Sequence, residues 1–177
     1  MRTRPIWLLV AALLLAACGE TGATTEGGVD GSNIEEAAAA AELPAALEAG
    51  ERIVEDLLAR LDVDPRDRDD VRPYRVSLCD EVVDEDGPSL VSVARGIAFP
   101  AERTDDVIEQ VRVALEDAGV DSVRVVREDS VLPLVTGLFA DDTWQVGATL
   151  NREDGIGELR VSSACLPGEL PEPPASG

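Results

Sequence analysis

The sequence predicts an α+β fold: a two-layer sandwich in which a mostly antiparallel sheet of four or five strands carries two helices on one face. Three observations predict it. Two stretches repeat their apolar residues at helical spacing, one ahead of the first strand and one just after it. Several short stretches in the C-terminal half alternate apolar and polar residues with period two. The order helix, strand, helix and then a run of strands with a hairpin signal reads as antiparallel strands with the helices gathered on one face.

Ser32-Asn33-Ile34-Glu35 fits a capping box and starts a helix that runs into Ala37 to Ala41. Pro44 imposes a kink or a fresh start. From Ala46 the apolar set Leu47, Ile53, Val54, Leu57, Leu58 and Leu61 makes one amphipathic helix, weakened by Gly50 and closed by Asp64-Pro65. Arg66 to Arg72 reads as a charged loop leading to Tyr74. Ser89 to Phe99 alternates as a strand with one buried face, and Pro100 stops it. Thr104 or Asp105 caps the next helix, whose apolar set is Val107, Ile108, Val111, Ala114, Leu115 and Ala118, with Gly119 as its C′ residue. Ser122 to Arg127 is a short strand. Pro133 and Gly137 leave only Leu134 to Ala140 as an edge strand. Thr143 to Leu150 and Gly157 to Ser163 form a hairpin around Asn151 to Gly155. Residues 34–166 are therefore one domain, and the Pro-rich stretch 167–177 is a disordered tail.

The 177 residues include 15 Lys plus Arg, all of them Arg, and no His. Ser-His-Asp and Cys-His nucleophilic sites, Schiff-base chemistry, P-loop phosphate binding and His-ligated metals are thereby excluded. With 36 Asp plus Glu the net charge is -21, which opposes nucleic-acid binding. The sequence implies neither a cofactor nor a metal. Three acidic clusters invite a Ca²⁺ reading: Asp62 to Asp70, Asp80 to Asp86, and Asp141-Asp142. None has EF-hand spacing, and solvated loops account for them.

Met1 to Glu20 reads as a secretory signal, with Arg2 and Arg4 ahead of the apolar run Ile6 to Ala16, which is too short to span a bilayer. Leu15-Ala16-Ala17-Cys18 resembles the lipobox of bacterial lipoproteins at all four positions, and the chain as a whole resembles the small lipoproteins of actinobacteria. The resemblance implies that residues 1–17 are a signal peptide and that Cys18 is the lipidated first residue of the mature chain. Its acyl chains would anchor the protein to the cell membrane, facing outside the cytoplasm. Residues 18–33 then form the lipidated N-terminus and a flexible linker, about 20 Å long on average and roughly 50 Å stretched. The mature chain keeps 13 Arg against 36 acids, a formal -23. On net charge alone, anionic headgroups should repel the domain and leave the lipid as its sole attraction to the membrane.

An exported compartment is oxidising, and Cys79 and Cys165 are the pair left once Cys18 is acylated. They read as a disulfide that staples the N-terminal region to the far end of the sheet, the alternative being two free buried thiols. Val131 to Phe139 is the one apolar run without clean periodicity, and it supplies a candidate contact surface at Leu134, Leu138 and Phe139 for an envelope protein or lipid ligand. The alternative for this run is an irregular segment packed on the sheet. Trp144, beginning a strand, is expected in the core. The function expected from these features is a non-catalytic binding or accessory module of the cell envelope, with no catalytic residues. The competing expectation is a small hydrolase acting on wall polysaccharide with a pair of carboxylates.

Overall fold

Apolar residues three and four apart give the second helix a continuous buried stripe, and that stripe lies on the sheet. In the computed structural model, which describes residues 32–66, 73–79 and 87–170, α1 (Ser32–Ala38) leads into α2 (Leu43–Arg60). Pro44 occupies the first turn of α2, where a missing N–H costs nothing, so the expected fresh start occurs there. The buried stripe of α2 is Leu43, Ala46, Ala49, Gly50, Ile53, Val54 and Leu57. Gly50 is a close contact with the sheet: a Cβ there would lie 3.1 Å from Val93 Cγ2.

Seven strands follow: β1 (Asp64–Arg66), β2 (Tyr74–Leu78), β3 (Ser89–Ala98), β4 (Arg124–Val126), β5 (Leu134–Phe139), β6 (Trp144–Asn151) and β7 (Ile156–Ser162). Between β3 and β4, a single 3-10 turn at Ala101–Arg103 runs into α3 (Thr104–Asp117). Helix α3 ends as expected, with Gly119 at φ +87°. The sheet order is β1-β3-β7-β6-β5-β4 with β2 also on β3, and every pairing is antiparallel. Helix α2 packs on β3 and β7, α3 packs on β4, β5 and β6, and α1 rests on α2. All the helices lie on one face, which is the α+β two-layer arrangement.

The sheet is larger than the four or five strands expected. Two strands flank residues 67–72 of the expected charged loop: β1, formed by the Asp64-Pro65 expected to close the helix and by Arg66, all three exposed, and β2, which begins at Tyr74, where no element was expected, and in which Tyr74 alone is buried. β1 has no alternation, whereas Tyr74–Leu78 does alternate, with Tyr74, Val76 and Leu78 in one phase and Arg75 and Ser77 in the other, although Val76 and Leu78 stay exposed. Strand β5 is not an edge, because β4 covers it; Pro133, whose missing N–H suggested an edge, lies just outside the ladder. Cys79 directly follows β2. The Cys79–Cys165 disulfide is formed, with Cα atoms 6.0 Å apart. It joins neighbouring strand ends, since Ser89 also bridges to Leu166 and the Cys79 N–H donates to the Pro88 carbonyl at 3.1 Å. The beginning of the expected tail is ordered as well. The Pro167 carbonyl accepts the Leu43 N–H at 3.0 Å, satisfying a helix-start donor, and Leu170 packs on the core. The signal segment, Cys18 and its linker to residue 31, residues 67–72, the 80–86 acidic cluster and residues 171–177 lie outside the described residues.

The core sits between sheet and helices. Val91, Val93, Ile97, Val135, Val146, Leu150, Leu159 and Val161 from the strands meet Val54, Val107, Val111 and Leu115 from the helices, all at 3% exposure or less. Trp144 is 2% exposed and stacks on Phe139 with ring centroids 5.6 Å apart, as its place at a strand start predicted.

Candidate functional site

Side chains alternate across a strand, so the residues that do not face the helices form a second face, and no described helix covers it. On β5 this face takes Leu134, Thr136 and Leu138; on β6, Gln145, Gly147, Thr149 and Asn151; on β7, Ile156, Glu158, Arg160 and Ser162. Beyond β7 it continues through Ser92, Ala94, Gly96 and Ala98 of β3.

The face is hollowed near its middle. A depression of about 240 Å³ is lined by Leu134, Thr136, Gln145, Gly147, Thr149 and Arg160, with Ser162 at its border. A second, of about 320 Å³, shares Thr149 and Arg160 with the first and extends toward Arg66, Leu132 and Ile156. Glycine makes room for the first. A Cβ on Gly147 would lie 2.1 Å from the Val135 carbonyl oxygen, so only glycine lets β5 come this close. Gly147 is also in register with Arg160, and Ala94 flanks Arg160 on its other side, so the guanidinium stands between two strands without large neighbours.

The chemistry of the lining is that of a binding surface. Thr136 and Gln145 are joined by a hydrogen bond of 3.1 Å from Gln145 Nε2 to Thr136 Oγ1, and Ser92 and Ser162 share one of 2.8 Å. Arg160 donates to Glu158 through Nε at 3.0 Å and through Nη2. Glu158 is the one carboxylate among the described residues lining either hollow. The shifted ionisations belong to the opposite layer. There the hydrogen bond from Arg112 holds the Glu109 carboxyl below its ordinary range, and bonds to Glu109 and Glu116 raise Arg112. Burial lowers Arg60, against the raising influence of Asp117 and Asp56. Among the described residues no group of three or more His, Cys, Asp or Glu is placed to hold a metal ion.

The candidate contact residues divide between the two faces. Leu134 and Leu138 are half-buried on the uncovered face, and Leu134 lines the first hollow. Phe139 is 3% exposed in the core, so it belongs to the packing and not to the surface. The irregular run divides accordingly: Val131 and Leu132 are exposed and Pro133 is buried in the loop before β5, and Leu134 to Phe139 is regular strand. Sequence reasoning did not single out Arg160, Gln145 or Thr149. The signal was present, since each occupies the polar phase of a strand whose apolar phase had been assigned to the core.

Among the described residues no helix is long and apolar enough to cross a membrane. Comparison of the chain with protein-family models, curated proteins and solved structures finds no match.

Proposed function

We propose that the protein is an exported, lipid-tethered and non-catalytic binding module of the cell envelope, which presents the uncovered face of its sheet to a partner. The observation that carries the binding half is the one-sided packing. All three helices lie on one face, and the other is left with two adjoining hollows lined by aliphatic, hydroxyl and amide groups around Arg160. A fold that needed only stability could cover or flatten that face; a hollow with a few convergent polar groups suits ligand binding. Tethering rests on the signal-like N-terminus and the lipobox resemblance at Cys18. The disulfide supports export, because such bonds persist in oxidising compartments. The polysaccharide-hydrolase alternative gains no support from the hollows, where Glu158 is already paired with Arg160 and no second described carboxylate joins it.

The test places a photoreactive amino acid in the full chain, in cells, at Thr149 on the open face or at Glu109 on the helical layer, combined with Cys18→Ala. Adducts should form from Thr149 and not from Glu109, and Cys18→Ala should move the mature-length protein out of the membrane pellet. Equal adducts from both faces would defeat the binding assignment. A non-lipidated protein that still pellets in high salt would defeat the tether.

A further inference from the structure

Resting on the reading of the uncovered face as the binding face, we propose that its occupant is an extended acidic peptide segment, lying across the strands and held by a band of arginines. The observation is an imbalance within a strongly acidic chain. On the helical layer and in the loops, Arg52 pairs with Glu36 at 2.8 Å, Arg95 with Glu55 at 2.9 Å and Arg103 with Asp62 at 2.8 Å. Arg112 pairs with both Glu109 and Glu116, and Arg152 with Asp105 at 2.7 Å. Of the five described arginines without an ion pair to a described residue, Arg60 lies at the end of α2, where it donates to the Ala114 carbonyl, and Arg127 lies in the loop after β4; the other three, Arg66, Arg75 and Arg124, are exposed, although acids outnumber arginines by 36 to 15. All three lie on the uncovered face.

Strand register aligns them. Arg124 is opposite Thr136, Thr136 opposite Gly147, Gly147 opposite Arg160 and Arg160 opposite Ala94. At the far edge the row ends between Arg66, opposite Gly96, and Arg75, opposite Ser92, two residues to either side of Ala94 on the same face. Glu158 engages Nε and Nη2 of Arg160, and the strands' other described acid on this face, Asp64, is opposite Ala98, beyond Arg66. Among the described residues the band therefore keeps a net positive charge, on a chain of net charge -21.

Its geometry selects the occupant. At about 4.8 Å per strand, Arg124 and Arg160 are roughly 14 Å apart and Arg160 is roughly 10 Å from the far edge. A peptide rising about 3.3 Å per residue covers those intervals in three to four residues, so carboxylates at that spacing meet successive guanidinium groups. Aliphatic side chains between them enter the hollows beside Leu132, Leu134 and Ile156, and backbone groups meet Thr136, Gln145 and Thr149. At the strand ends the band is bounded by Asp141 and Asp142 in one turn and Glu153 and Asp154 in the other. A flat anionic bilayer would press on those acids, whereas a chain running across the strands passes between them. A densely charged polyanion meets the repulsion of the whole molecule.

The experiment is fluorescence anisotropy of a labelled ten-residue peptide, with Glu at every third or fourth position and Val, Leu and Ser between, titrated with the full chain. Binding should saturate and weaken with added salt. Arg75→Gln and Arg124→Gln should each weaken it about threefold, and together about tenfold, as exposed ion pairs do. Arg112→Gln on the helical layer should leave it unchanged, with thermal melts confirming that every variant folds. Peptide binding unaffected by the double substitution overturns the proposal. So does Arg124-dependent binding of polygalacturonate or phosphatidylglycerol vesicles without binding of the peptide, which would assign the face to a different partner. Thr149 adducts in cells with no peptide binding would overturn this inference and leave the binding-face reading standing; loss of both would remove that reading as well.

Discussion

Leu138 and Phe139 are neighbours in sequence and opposites in role, because adjacent side chains of a strand point to opposite faces. Phe139, 3% exposed and stacked on Trp144, should cost about 3 to 5 kcal/mol on Phe139→Ala, the range for deleting a buried aromatic. Leu138→Ser removes a half-buried side chain from the uncovered face and should cost roughly 1 kcal/mol, since it forfeits only part of the 1.5 to 3 kcal/mol of a fully buried leucine. Urea unfolding followed by Trp144 fluorescence compares them, and a Leu138→Ser cost as large as that of Phe139→Ala would place both side chains in the core. The same alternation explains what the sequence shows and hides here. Alternation on β3, β6 and β7 identified the buried phase correctly, whereas Pro133 and Gly137 obscured it on β5. The alignment of Arg66, Arg75, Arg124 and Arg160 was not legible at all, because it depends on the register among β1 to β7 and not on spacing along the chain.

Elements with a buried stripe were legible, and elements without one were not. Helices α2 and α3 and strands β3, β6 and β7 appear where the period of their apolar residues places them. Strands β1 and β2 exist because β3 offers them a ladder, a tertiary cause that leaves no local trace in Asp64-Pro65-Arg66; Tyr74–Leu78 does alternate apolar and polar residues, but over five residues with only Tyr74 buried. Their attachment bears on the disulfide. The chain-entropy account gives a closure of 86 residues a value near 4.6 kcal/mol. The Ser89–Leu166 bridge and the β2–β3 ladder already hold the two cysteine-bearing ends together. That pre-assembly avoids native strain, and Cys79→Ala with Cys165→Ala should lower stability by about 2 to 4 kcal/mol. Urea midpoints of the oxidised, reduced and doubly substituted proteins check this. A midpoint indifferent to reduction would mean that the bond constrains nothing the ladders do not already hold.

For the whole molecule, net charge was an incomplete guide. A value of -21 describes a repelled object, yet Arg66, Arg75 and Arg124 on the sheet face have no described acidic partner while acids line the outer helical surface. A molecule with such separated charge is turned by a field before it is pushed by one, which matters most within a Debye length of about 8 to 10 Å.

Strand β3 pairs with β1, β2 and β7, and β7, its inner neighbour, is the last strand among the described residues. Assembly therefore runs against the order of synthesis: until residues 156–162 arrive, β3 and β6 each lack the partner that closes the sheet, and α2 has only part of its docking surface. A chain ending at Gly155 should show neither a cooperative unfolding transition nor native near-ultraviolet dichroism; a cooperative melt from that fragment would show that the first six strands suffice. With its closing contacts so far apart in sequence, the domain should fold slowly for its size. If the chain is exported as proposed, crossing a membrane as an extended thread, that delay is useful, because the sheet can lock only after β7 has emerged.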